Sequence, residues 1–187
     1  MPPPETIYEV FEFANDMQET QASQLYQPYY VLLNHLFPPE EGYMVVPEYK
    51  VQIQSRFSVN LRNIYTVKHK TRRDVLFFLQ VKSSEDLSHT SSRQEANSQM
   101  QEKFRHVFGV VDIGMLYGAC AMGTKICMYM LHIRSRQIFS IAIPGAPELV
   151  TDTAPVDWWN LDLLTQEGQD RLRKIVQHIK EMSTQIG

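Results

Sequence analysis

The sequence predicts an α/β fold, a mixed sheet flanked by helices with a C-terminal helix, and three observations carry that prediction. Residues 74–82, DVLFFLQVK, are almost wholly apolar, which suits a strand buried on both faces near the centre of a sheet. Residues 58–67 alternate, with Val59, Leu61, Tyr65 and Val67 on one face, as a strand with one buried side requires. Apolar residues recur at steps of three and four in three other stretches, the signature of helices that each bury one face. Helix, strands, central strand, helix, strands and final helix then follow one another, an order that layers helices on a sheet.

Each element has its own warrant. Residues 1–18 form an acidic N-terminal arm, loose at Pro2-Pro3-Pro4 and carrying Ile7, Tyr8, Val10, Phe11 and Phe13 as apolar points. Residues 19–187 then form one domain. Its first helix, within 18–37, is marked by Leu25, Tyr29, Leu32, Leu33 and Leu36; Pro28 is accommodated early or marks a break, and Pro38-Pro39 ends it. Residues 43–54 and 58–67 are strands joined to the central strand through a polar turn at 68–73. Residues 93–108 form a helix whose apolar side is Met100, Phe104, Val107 and Phe108. Strands follow at 110–121, 125–133 and 137–143. After a Pro- and Asp-containing connection through Trp158-Trp159, Thr165 caps a helix with Leu172, Ile175, Val176, Ile179 and Met182 inside; Gly168 in its first turn loosens it.

The chain's 187 residues are 43% hydrophobic, enough for a core that needs neither disulfides nor a structural metal. Two cysteines, Cys120 and Cys127, exclude a disulfide scaffold and a Cys-rich zinc site and suit small core residues; the six histidines show no zinc-like spacing. No basic segment followed by an apolar run opens the sequence, and no apolar stretch is long enough to span a bilayer, so the expected setting is intracellular, cytoplasmic or nuclear, with no membrane partner. Net charge is −3 but uneven: residues 1–49 hold eight acids and no Lys or Arg, and residues 50–82 hold eight bases and one acid. The basic middle is expected to neutralise the acidic segment within the fold. The competing reading is a nucleic-acid surface built from Lys68, Lys70, Arg72, Arg73 and Arg93, extended by Lys103 and Arg105.

The chemistry-bearing segment is the end of the central strand. Gln80 and Lys82 are two apart and share a face. An acid at the first position would hold Mg²⁺, and an ammonium at the second would polarise water or stabilise developing charge. A plain strand end turning polar reads the same way. Helix, hairpin, apolar strand ending in x-x-Lys, helix and further strand together resemble the PD-(D/E)XK nuclease superfamily over about residues 19–133. The resemblance implies a restriction-endonuclease-like fold with an αβββαβ core, Mg²⁺ or Mn²⁺ as cofactor if the chain is active, and nucleic acid as substrate. It assigns Lys82 as the catalytic lysine, Gln80 at the acid position, and Asn63 opposite the family's Asp, with Asn60 as a rival. Gln80, Asn63 and Glu48 would surround the metal. The stretch 116–124, LYGACAMGT, and Trp159 to Leu164 followed by Gly168, Arg171 and Ile179-Lys180, resemble proteins of mushroom-forming fungi.

Departures from the pattern bear on activity. Asn63 and Gln80 are neutral amides, whereas Mg²⁺ favours carboxylates. A substitute acid is needed: Glu48 on a neighbouring strand or Glu19 from the first helix, since Asp74 stands at the far end of the central strand. The expectation is therefore a nuclease-like domain with a degenerate metal site. The alternative is a non-catalytic protein-interaction module or homodimer reusing the fold.

Overall fold

The structure, a computed structural model, describes residues 5–16, 22–54, 58–107, 113–140 and 153–185. Helix α1 (Glu5–Asp16) precedes α2 (Ala22–Leu36), and three strands follow: β1 (Tyr43–Gln54), β2 (Ser58–His69) and β3 (Val75–Lys82). Helix α3 (Thr90–Val107) leads to β4 (Met115–Met122), β5 (Lys125–His132) and β6 (Gln137–Ser140); a two-residue β7 (Leu161–Asp162) precedes α4 (Gln166–Thr184). The seven-stranded sheet runs β1-β2-β3-β4-β5-β6, with β7 paired to β5. Every pairing is antiparallel except β3 with β4, which α3 connects. A parallel neighbour needs such a crossover, because its strand must be re-entered from the same end. The predicted mixed sheet, flanked by helices and closed by a C-terminal helix, is the observed architecture.

Strand β3 is central, as its apolar run requires: Val75 to Val81 are all buried. Its two faces meet different helices. Phe77 and Leu79, with Ala119 and Ile126, meet Leu32, Leu33 and Leu36 of α2 and Leu172 and Val176 of α4. Phe78 faces the other way, its ring 4.7 Å from Phe104 of α3 at an interplanar angle of 64°. Gly118 on β4 makes that contact close: a Cβ there would lie 2.7 Å from the Phe78 ring and 3.0 Å from Phe104. Even-numbered positions of β3 thus form a face roofed by α3.

Several elements differ in detail from the sequence reading. Pro28 lies inside α2, buried, in the second turn, and does not break the helix. Helix α3 starts at Thr90, not Arg93, and β4 starts at Met115. The predicted ends of β6 (141–143) and of the α3 helix (Phe108), the start of the strand at 110–112, and Glu19 lie outside the described residues. Helix α1 contributes Ile7, Tyr8 and Phe11 to the same core as the rest of the chain, Phe11 standing 4.8 Å from Tyr29 in an edge contact. Thr165 caps α4 as expected, accepting from the Gly168 amide at 3.1 Å. Gly168 does not loosen that helix. It is the residue that fits, since a Cβ there would fall 1.9 Å from the Asp162 carbonyl oxygen.

Candidate functional site

Registers across the sheet decide which predicted site residues meet. Gln80 pairs with Ile64 of β2, and Ile64 pairs with Glu48 of β1. Directly opposed residues share a face, so Glu48, Ile64 and Gln80 form one lateral row beneath α3. That row continues through Cys120 and Cys127, which are also register partners. Asn63 pairs with Val81, one residue out of phase with Gln80. A single-residue step in register changes the face of a sheet. The register thus sets Asn63 against Val81, one residue from the Ile64–Gln80 pair.

Gln80 is 2% exposed. Its Nε2 donates to Oε1 of Gln99 on α3, and Nε2 of Gln99 donates to Oε1 of Glu95 at 2.6 Å. A short relay thus links the buried amide to a carboxylate at the surface. Oε1 of Gln80 is buried with no hydrogen-bond partner. Lys82, two residues on, is half-buried, and no hydrogen bond or ion pair joins its ammonium to the described residues.

Glu48 sits at the other side of the row. Its Oε1 accepts from the Thr66 hydroxyl at 2.6 Å and its Oε2 from the Lys103 ammonium at 2.5 Å. Thr66 is fully buried, and the side chains of Lys103 and Glu48 are 13% and 24% exposed. Burial pushes the Glu48 carboxyl up, but the hydrogen bonds from Lys103 and Thr66 and the charges of Lys103 and Lys68 more than offset this, holding it below the ordinary value. Glu48 is thus a carboxylate kept ionised by its neighbours.

These donors do not fit Mg²⁺. The ion needs near-octahedral oxygen coordination at about 2.0–2.1 Å, with carboxylates and several waters. On this row the open oxygen is a neutral amide enclosed under α3, and both oxygens of Glu48 are already bonded, one of them to an ammonium. Among the described residues no three His, Cys, Asp or Glu side chains are grouped to hold a metal ion. Asp74 pairs with Arg72 at 3.4 Å at the opposite end of β3. Cys120 and Cys127 are buried and free; burial pushes the Cys120 thiol up to about 12 and the Cys127 thiol higher still. Neither is a ready nucleophile.

The basic surface is also redrawn. Arg93 is 6% exposed, and its guanidinium donates to the carbonyls of Ala154 (3.0 Å) and Leu87 (2.8 Å) and to the Thr90 hydroxyl (3.1 Å). It ties the segment before β7 to α3, which removes it from the phosphate contacts expected of it. Lys70 donates to the Pro39 carbonyl at 2.7 Å. Arg72 donates to the Ser183 carbonyl at 2.6 Å, where a cation is favoured at the C-terminal end of α4. Arg73 is exposed in the turn, with φ +60°, and Lys68 is half-buried beside Glu48.

Sequence reasoning missed Gln99, Glu95 and Thr66, and it did not pair Lys103 with Glu48. A signal for the helix residues existed. Glu95, Gln99 and Lys103 recur at steps of four, directly beside the apolar stripe Ala96, Met100, Phe104 and Val107. A polar stripe adjoining the buried one reaches the edge of the interface it borders.

No protein-family model matches the sequence, and no curated protein does. Among solved structures the chain is similar to the type IIG restriction endonuclease BpuSI, with a TM-score of 0.40 and 16% identity over 89% of this chain. The chain spans 16% of that enzyme's chain. Among the described residues, no helix is long and apolar enough to cross a membrane.

Proposed function

We infer that this chain is a PD-(D/E)XK nuclease-like domain whose metal site is degenerate, so that it keeps the fold without metal-dependent phosphodiester cleavage. The observation that carries the reading is the bonding of the two residues best placed to hold a metal. The Gln80 amide is tied to Gln99, and the Glu48 carboxylate is tied to Thr66 and Lys103. The order α2, β1–β3, α3, β4, with β4 parallel to β3, supports the family assignment, as does Lys82 at the end of the central strand. Lys82, with no acidic partner among the described residues, offers charge but no metal and no activated water. Nucleic acid is then a ligand to be held, and the Lys82 ammonium and exposed Arg73 are the groups that would touch phosphate.

Calorimetry with Mn²⁺ on the full chain tests the reading, together with a cleavage assay on single- and double-stranded DNA and RNA. The expected result is no saturable binding at millimolar metal and no metal-dependent cleavage. Saturable binding that Gln80→Ala removes, with cleavage that Lys82→Ala removes, would overturn it and restore an active nuclease.

A further inference from the structure

We propose that the Lys103 ammonium is the resident cation of this sheet face, standing at the Glu48 carboxylate in the place a divalent ion would take. The proposal rests on the reading of a degenerate metal site and adds what has replaced the metal. Gln99 and Lys103 are one helical turn apart on α3 and so project from the same side. Gln99 reaches Gln80 and Lys103 reaches Glu48, the two polar residues of one lateral row. The helix therefore carries one polar side chain for each of these two residues.

A carboxylate with only 24% of its side chain exposed gains from a partner cation, since enclosure from water penalises an unpaired charge. Lys103 supplies that charge within the chain, and Thr66 satisfies the remaining oxygen. Access is narrowed as well: an ion binding Oε2 of Glu48 in the Lys103 position would have to displace an ammonium. Local charge opposes it further, because Lys68 also acts on Glu48, leaving two cations around one acid. The Lys103 side chain is held in place, its Nζ 6.0 Å from the centre of the Phe78 ring.

The test is paramagnetic broadening of amide signals by substoichiometric Mn²⁺, which reports weak, site-specific occupancy. It compares wild-type chain, Lys103→Met, Lys103→Arg and Lys103→Met/Glu48→Gln. Methionine keeps the apolar stem and removes the charge. Selective loss of the Glu48 and Thr66 signals is expected in Lys103→Met alone, with wild type, Lys103→Arg and the double variant unaffected. A folded Lys103→Met without that loss overturns the proposal, as does loss that persists in the double variant. Should Lys103→Met not fold, Lys103→Ala is examined for recovery of folding by millimolar Mn²⁺; recovery supports the proposal and its absence overturns it. Broadening of wild-type chain that Gln80→Ala removes would instead sink the degenerate-site reading, so the two failures are distinct.

Discussion

At the scale of single residues, polar groups in this fold are assigned by what encloses them. Arg93 is the clearest case. In sequence it stands at the head of a helix beside a serine-rich loop, where a phosphate-binding arginine is a natural reading. In the structure its guanidinium donates to the buried Ala154 carbonyl and to the partly buried Leu87 carbonyl and Thr90 hydroxyl. Arg93→Ala should therefore lower stability by about 2–3 kcal/mol, because buried acceptors lose their donors. Urea unfolding of the two proteins measures this, and an unchanged midpoint would return Arg93 to the surface inventory. Gln80 was legible as a strand-end residue, and Glu48 as a rival acid. That each is tied to α3 was not, because a hydrogen bond between residues 19 apart, or an ion pair between residues 55 apart, leaves no mark in local pattern.

At the scale of elements, the agreement was closest where periodicity is strict. The apolar run became β3, buried along nearly its whole length, and the 43–54 strand has the bounds read from the sequence. Boundaries moved where polar residues continue a helix: Thr90, Ser91 and Ser92 add a turn to α3 that its apolar stripe does not announce. Helix α3 can lie this close to the sheet because Gly118 offers no side chain beneath Phe104. Gly118→Ala forces the Phe78 and Phe104 rings apart, and the expected loss is about 1–3 kcal/mol, the usual range for overpacking a filled core. Thermal unfolding followed by circular dichroism checks it. A variant as stable as wild type would mean that α3 has room to shift. Gly168 makes the same point at α4, where the helix start abuts the Asp162 carbonyl.

At the scale of the whole molecule, charge is paired across distant parts of the chain. The acidic segment 1–49 was expected to meet the basic segment 50–82. Among the described residues Glu41 pairs with Lys180 of α4 and Glu48 with Lys103 of α3, with Lys68 of the basic segment adding its charge at Glu48, while Lys70 and Arg72 bond main-chain carbonyls. Stability should follow these groups as pH changes. Glu48 is held below its unfolded value, so its contribution is complete above about pH 4.3 and is lost as pH falls through the lower folded value. Burial holds Tyr29, Tyr129, Cys120 and Cys127 neutral, with folded values above unfolded ones. Their contribution is complete below about pH 8.5 and is lost as pH rises. Urea midpoints across pH should show a plateau between these limits, and Glu48→Gln should flatten the acid limb while leaving the alkaline limb in place. An acid limb of unchanged slope in that variant would remove Glu48 from the account.

The sequence by itself determined the layers. Periods of two and of three to four residues specify which elements bury one face or two, and a strand apolar on both sides must lie inside a helix-covered sheet. It also determined the neutrality of the metal-site candidates, since Asn63 and Gln80 are amides whatever the fold. Only the tertiary structure decided which residues share a face. Register placed Asn63 opposite Val81 and aligned Glu48 with Gln80 through Ile64. The crossing of α3 then brought Gln99 and Lys103 onto that row. A one-residue shift in strand pairing would exchange every side chain between the two faces, and composition and local periodicity are the same in either register.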